Sequence, residues 1–236
     1  MDESPSPPPP LSRAAAQAVD RLAIETLGLP GIVLMENAAI NATAVLLDLV
    51  DARLERPIRG LRVTVACGAG HNGGDGFAIA RHLAVWGADV RLACPKPVDD
   101  LHGDTATNAR VCQALGLPID AEPPDDAWST ELIVDAMLGT GFAGDAVRPP
   151  LAGWIEAINA SSAGLVVAID TPSGLDCDTG NPCPTTVAAD ATVTFVDAKH
   201  GLIADGADRF TGELIVAEIG VPDSLVDRAR AEASDA

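Results

Sequence analysis

The chain has 236 residues, of which 47% are hydrophobic and only 3% aromatic, and its length fits one large domain. Acidic residues outnumber basic residues by 34 to 15, which gives a formal net charge of −19. Such an acidic surface repels nucleic acids and anionic membranes, so we expect neither as a partner. An anionic small molecule would have to be held by backbone dipoles or by individual cations.

The amino-terminal part of the chain predicts a tail followed by two helices. The first ten residues, MDESPSPPPP, predict a disordered tail because consecutive prolines cannot enter a helix or a ladder strand. Apolar residues recur at helical spacing from Leu11 to Leu27, and Gly28 and Pro30 end that pattern. A second helix is predicted over residues 32–54.

The remainder of the chain, within a single predicted domain over residues 11–236, alternates strands with helices. Helices are predicted at about 74–86, 104–115, 151–160 and 224–233. The predicted strands are LRVTVAC, DVRLACP, TELIVDAML, GLVVAIDTPSG, DATVTFVDA and GELIVAEIG. This alternation indicates an α/β fold whose mostly parallel sheet is covered by helices on both faces, with two additional helices at the amino terminus.

Cysteine usage and hydropathy bear on the cellular compartment. The five cysteines form no Cys-x-x-Cys pair, which argues against a zinc site and a disulfide framework. No segment is typical of a signal peptide, and we expect none to be long enough to span a membrane. The sequence therefore predicts a cytoplasmic protein with reduced thiols.

A glycine-rich turn follows the first predicted strand. Gly68, Gly70 and Gly73 match the Gly-x-Gly-x-x-Gly pattern between a strand and a helix, where backbone amides can bind phosphate. A dehydrogenase of this pattern would place an acid at the end of the next strand to hold a ribose hydroxyl. Here that strand ends in Cys94-Pro95-Lys96, which disfavours an ordinary NAD-dependent dehydrogenase.

Short oxygen-bearing side chains stand at the ends of several predicted strands. Asn72 and Asp75, in the glycine turn, suit a hard cation or ligand hydroxyls, or they cap the helix. Asp135 and Asp170 each end an apolar strand, where an acid is structural, a cation ligand or a general acid/base. Ser173 lies in the rigid turn DTPSG, outside any nucleophile elbow. The carboxyl ends of parallel strands share one sheet edge, so we expect these groups to converge.

With these residues in view, the chain resembles the NAD(P)H-hydrate epimerase family, or YjeF N-terminal domain. The resemblance covers nearly all of the chain beyond the tail and is carried by ETLGLPGIVLMENAA, GAGHNGGDGFAIARHL, VDAMLGTGF, AIDTPSGLDCDTG and ADATVTFVDAKHGL. It implies a Rossmann-like three-layer αβα sandwich, generally dimeric. It also implies an enzyme that interconverts the R and S forms of hydrated NADH and NADPH, and a separate dehydratase that repairs only the S form.

The resemblance also implies site residues. The potassium ligands would be Asn72, Asp135 and Ser173. We hypothesise that Asp170 is the general acid/base at the hydroxyl-bearing carbon and that Lys96 stabilises or shuttles charge beside it. Residues expected to hold the substrate are His71, Asn72, Gly73, Gly74, Asp75, Gly139, Thr140, Gly141, Phe142, Ala143, Gly144, Asp145 and Asp170.

The chain departs from the family pattern at His71, where the family has an asparagine, and this leaves open whether His71 contacts ligand. A second hypothesis is a non-catalytic dimeric scaffold of the same fold, in which the catalytic pattern is eroded. The intact glycine turns and the four site residues Asn72, Asp135, Asp170 and Ser173 favour the enzyme. A nucleotide hydrolase or kinase is a third option, which no P-loop or nucleophile elbow supports.

Overall fold

The computed structural model describes residues 9–234. Most of the predicted disordered tail lies outside these residues. Pro9, near the end of the predicted tail, accepts a hydrogen bond at its carbonyl oxygen from Arg230 Nε at 3.1 Å.

A seven-stranded sheet forms the centre of the protein, in the order β3-β2-β1-β4-β5-β6-β7. Every neighbouring pair of these strands is parallel. The strands are β1 Arg62–Cys67, β2 Asp89–Ala93, β3 Ile119–Asp120, β4 Leu132–Ala136, β5 Leu165–Ile169, β6 Ala191–Phe195 and β7 Glu213–Ala217. The strand order reverses direction between β1 and β4, the point at which open α/β sheets bind ligands.

Seven α-helices accompany the sheet within residues 9–234. They are α1 Arg13–Leu27, α2 Gly31–Leu54, α3 His71–Val85, α4 Gly103–Ala114, α5 Leu151–Asn159, α6 Asp208–Thr211 and α7 Asp223–Ser234. One apolar core lies between the sheet and helices α2, α3 and α4, and a second, on the other face, includes Trp154 and Ile158 of α5. A third forms where α1 packs against α7 and the start of α2. The predicted three-layer αβα fold is confirmed.

The expectation that no segment is long enough to span a membrane was wrong for helix α2. Its 24 residues include an 18-residue window with a mean hydropathy of 1.5, enough by length and composition to cross a bilayer. Its buried face, including Leu34, Ala39 and Leu46, packs into the cores of the domain. Burial accounts for part of this apolar composition, because 44% of that window is buried inside the domain.

Helix α3 begins at His71, three residues before the position that the sequence predicts. Gly70 is the extended residue before the helix, and Gly74 N–H donates to its carbonyl at 3.1 Å. Glycine is a poor helix former, so its low helix propensity predicts that residues 71–73 belong to the turn before the helix. Here the glycines allow close packing. A Cβ at Gly76 would lie 2.6 Å from the Ala136 side chain and 2.8 Å from Cys67 Sγ.

Candidate active site

A cavity of about 820 Å³ opens at the carboxyl ends of β1, β4, β5 and β6. Helices α1 and α2 form one wall, with apolar residues such as Ile24, Leu34 and Met35. The opposite wall is the loop after β4, from Met137 to Ala143. The two additional amino-terminal helices thus complete a ligand-sized space at the sheet edge.

The floor of the cavity depends on two close backbone approaches. A Cβ at Gly73 would lie 1.8 Å from the Gly68 carbonyl oxygen, and one at Gly68 would lie 1.9 Å from the Met137 carbonyl oxygen. No side chain fits at either position, so glycine is required to bring α3 against the loop after β4. The N–H groups of His71, Asn72 and Gly73 precede the first hydrogen bond of α3, from Gly74 N–H to the Gly70 carbonyl, which makes this end suited to a phosphate.

Asn72, in the first turn of α3, is buried and lacks a hydrogen-bond partner within the described residues. Its side-chain Oδ1 and Nδ2 are both without one. A Cβ at Gly139 would lie 3.1 Å from Asn72 Cγ and 2.6 Å from Asp170 Oδ2, so the Asn72 and Asp170 side chains both pack beside Gly139. A buried amide left unsatisfied in this way is costly, and a bound ligand or ion would satisfy it.

Asp135 and Ser173 form a buried pair beneath the cavity, with no exposed surface on either residue. Ser173 donates to Asp135 twice, from Oγ to Oδ1 at 2.6 Å and from its backbone N to Oδ2 at 2.8 Å. Leu138 N–H donates to Ser173 Oγ at 2.9 Å, which connects the pair to the loop that carries Gly139. Burial raises the pKa of Asp135 to about 6, although the bonds from Ser173 and Met137 oppose the rise.

Asp170 stands at the end of β5 in a left-handed backbone conformation, with φ +65°. Its Oδ1 lies 3.0 Å from Nζ of Lys199, and its Oδ2 accepts from Thr140 N–H at 2.7 Å. Burial raises the pKa of Asp170, but the Lys199 charge and the Thr140 bond outweigh it, and the net pKa is below its ordinary value. Asp170 is therefore an ionised carboxylate at neutral pH.

Lys199 is 2% exposed and lies between the sheet and the cavity. Its ammonium group donates to Thr194 Oγ1 at 2.7 Å and to the Phe195 carbonyl at 2.9 Å. Val196, between these acceptors and Lys199, also has a left-handed backbone, at φ +68°. This conformation is a strained one for a β-branched residue, and such strain concentrates at functional sites.

The structure brings most of the predicted site residues together. Residues that line the cavity are His71, Asn72, Asp75, Gly139, Thr140, Gly141, Phe142, Ala143 and Asp170. Gly73 and Gly74 are buried inside α3 and act through packing, while Gly144 and Asp145 are exposed beyond the lining part of the loop. Their predicted contact with substrate stays a prediction.

Lys96 is exposed between Pro95 and Pro97, and it is not among the residues that line the cavity, although Pro95 is. After Pro97 the chain continues into a short 3-10 helix at Val98–Asp100. The cation that contacts Asp170 is Lys199. The predicted catalytic role of Lys96 stays a prediction.

The sequence pattern predicts no role for Lys199. The signal available was its position shortly after β6 in the segment DAKHG. Asp20 of α1 and Asp104 of α4 also line the cavity and were missed, because they lie on helices that are distant in sequence from the strand ends.

Comparison with known sequences identifies the family. The family described as "YjeF-related protein N-terminus" matches residues 31–201. This chain belongs to the YjeF N-terminal family. The match includes every predicted site residue and Lys199, but it leaves out α1, whose residues form part of the cavity wall.

Two relatives of similar length are named NAD(P)H-hydrate epimerase. One, from Rhodopirellula baltica, is 39% identical and covers 92% of this chain and 87% of its own length. The other, from Pirellula staleyi, is 37% identical over 91% of this chain and 94% of its own length. A relative from Moorella thermoacetica named "Bifunctional NAD(P)H-hydrate repair enzyme Nnr" is 37% identical, and the chain spans 40% of its length.

A solved structure supports the fold. The crystal structure of yeast ynu0 superposes with a TM-score of 0.80 at 22% sequence identity, covering 94% of this chain and 93% of that one. At this identity the likeness establishes a shared architecture alone.

Proposed function

We propose that this protein is an NAD(P)H-hydrate epimerase, which interconverts the R and S forms of hydrated NADH and NADPH. The observation that carries the proposal is the buried Asp170–Lys199 ion pair, at 3.0 Å, on the wall of a cavity bordered by a glycine-rich helix start. The names of the two YjeF N-terminal relatives of similar length support it.

The ion pair matches the chemistry that the substrate requires. The hydroxyl-bearing carbon C6 adjoins the ring nitrogen, so inversion there requires a C–O or C–N bond to break and to form again on the other face. Such a step needs one group that accepts a proton from oxygen and one that supplies a proton. Ionised Asp170 is the acceptor and the Lys199 ammonium is the donor, and the product has the same atoms as the substrate.

We also propose that potassium binds between Asn72, Asp135 and Ser173. Among residues 9–234, no three His, Cys, Asp or Glu side chains are grouped to hold a metal, so a transition metal is disfavoured. Asn72 Oδ1 lacks a partner, and Asp135 is a carboxylate in a buried environment that a cation would stabilise. Amide, carboxylate and hydroxyl oxygens are the ligands that hard cations prefer. Potassium would supply positive charge beside the anionic substrate.

The proposal extends to assembly and compartment. Helices α1 and α2 carry three exposed large hydrophobic residues outside the cavity lining, which supports a homodimer built on these helices: Leu27, Val33 and Ile40. All five cysteines are unpaired and buried, which supports a reducing, cytoplasmic location. A separate dehydratase would consume the S form. The bifunctional relative, named a repair enzyme and only 40% covered by this chain, supports the expectation of a second repair activity.

The experiment that tests the proposed function uses R-enriched hydrated NADH and a purified dehydratase specific for the S form. The epimerase should accelerate disappearance of the R form in proportion to its concentration. A scaffold that binds the dinucleotide without chemistry would leave the spontaneous rate unchanged, although ligand would still raise its melting temperature.

A further inference from the structure

The segment that enters α1 is bonded to the backbone around Lys199. Leu11 N–H donates to the Ala198 carbonyl at 2.8 Å, and His200 N–H donates to the Leu11 carbonyl at 3.1 Å. Leu11 and Lys199 thus form a parallel bridge. Leu11 has no exposed surface, so this contact is part of the core.

Arg13, the first residue of α1, is bonded to the loop that holds the other half of the ion pair. Its Nε donates to the Thr140 carbonyl at 2.7 Å, and Thr140 N–H in turn donates to Asp170 Oδ2 at 2.7 Å. The Arg13 guanidinium therefore binds the carbonyl of Thr140, and Asp170 binds its N–H. Arg13 itself does not line the cavity.

The guanidinium is fixed by acids from the turn after β5. The guanidinium Nη2 of Arg13 donates to Asp176 Oδ2 at 2.7 Å, and the backbone N–H of Arg13 donates to Asp178 Oδ1 at 2.7 Å. Asp176 Oδ1 also accepts from Thr179 N–H at 2.8 Å and Thr179 Oγ1 at 2.9 Å, which immobilises the carboxylate. One planar cation thus joins the amino-terminal helix, the loop after β4 and the turn after β5.

We propose that Arg13 is a positioning residue for the epimerisation, acting through Thr140 to hold Asp170 against Lys199. The inference rests on the proposed function. It assigns a catalytic consequence to α1, which lies outside the segment matched by the family. Small displacements of a reacting group cost large factors in rate, on the order of 10²-fold for about 1 Å.

The test compares Arg13→Ala, Arg13→Lys and the matched control Arg21→Ala. Arg21 lies on the same helix, and within residues 9–234 its ion pairs are with Glu25 and Glu232 on the surface, with 47% of its side chain exposed. We expect Arg13→Ala to lower kcat roughly 10-fold or more, because Thr140 and then Asp170 lose their fixed position. Arg13→Lys can keep a bond to one acceptor but not to both, so it should restore part of kcat. Arg21→Ala should leave kcat unchanged.

A second readout separates this inference from the proposed function. In hydrogen exchange of the protein without ligand, the peptide that covers residues 139–145 should exchange faster in Arg13→Ala and not in Arg21→Ala. If the wild type shows no epimerase activity, the proposed function fails while this exchange result still decides whether Arg13 orders the loop. If Arg13→Ala lowers the melting temperature but leaves kcat and loop exchange at the wild-type values, the positioning role is overturned.

Discussion

Lys199 Nζ lies 3.0 Å from Asp170 Oδ1, and this ammonium group, 2% exposed, has no other carboxylate partner among the described residues. A buried ion pair is a weak source of net stability, because desolvation of both charges offsets their attraction. Its place on the cavity wall of a YjeF N-terminal protein points to chemistry instead.

The ion pair can be tested by removing the cation alone and then removing both charges together. Lys199→Met leaves Asp170 buried without its cation, so we expect the free energy of unfolding to fall by about 3–5 kcal/mol and epimerase activity to disappear. Adding Asp170→Asn in the double variant removes the stranded charge and should recover most of the stability without recovering activity. Denaturant unfolding beside a rate assay measures both. Full activity in a folded Lys199→Met protein would remove Lys199 from the mechanism.

Lys96→Ala is the matched control for the lysine assignment. Lys96 is exposed and does not line the cavity, so its loss should change kcat by less than about twofold and leave the melting temperature unchanged. The assay is the same rate measurement on hydrated NADH. A loss of activity as large as that of Lys199→Met would return the charge-stabilising role to Lys96.

Gly139→Ala tests the convergence of Asn72 and Asp170. The added methyl would lie 2.6 Å from Asp170 Oδ2 and 3.1 Å from Asn72 Cγ, so both side chains would have to shift. We expect kcat to fall on the order of 10²-fold while the protein remains folded. Gly153→Ala in α5, where the methyl meets nothing within 4 Å, is the control and should behave as wild type. Equal activity of the two variants would contradict the arrangement at Gly139.

Stability at different pH values tests the potassium proposal. The pKa of Asp135 is raised to about 6 from 3.8, so its neutral form favours the folded state. Without potassium, this contribution is complete below about pH 4 and is lost as the pH rises through about 6, at a cost of about 3 kcal/mol. The Asp135→Asn variant cannot ionise at this position. As the pH rises from about 4 to above 6, the unfolding free energy of wild type should therefore fall relative to that of the variant.

Potassium should reverse this loss because it binds the ionised carboxylate. We expect potassium chloride to raise the melting temperature of the wild type more at pH 7.5 than at pH 5, with tetramethylammonium chloride as the salt control. Asp135→Asn should show no specific potassium response at either pH. An equal potassium response in wild type and Asp135→Asn would place the ion elsewhere.

The pattern of strands and helices was readable from the sequence because each strand is a short apolar run bounded by glycine, proline or acidic residues. The run LRVTVAC, for example, contains β1 Arg62–Cys67, and GLVVAIDTPSG contains β5 Leu165–Ile169. Strand β3 Ile119–Asp120 was missed because two residues at a sheet edge carry no periodicity.

The site was predictable only where a residue follows a strand. Asn72, Asp135, Asp170 and Ser173 were found because parallel strands deliver their ends to one edge. Lys199 lies beyond the end of β6 and folds back to Asp170 at the end of the neighbouring strand β5, and Arg13 bonds to Thr140 from a helix 127 residues earlier. Such pairings depend on tertiary packing, which a single sequence does not encode in its local pattern.

The central claim, that Asp170 within this cavity inverts the hydroxyl-bearing carbon, is tested most directly by following pure R-form hydrated NADH by chromatography. Wild type should bring the R and S forms to their equilibrium ratio, and folded Asp170→Asn should do so about 10²–10⁴-fold more slowly. A wild-type protein that leaves the R form to its spontaneous rate, or an Asp170→Asn variant as fast as wild type, would contradict the account.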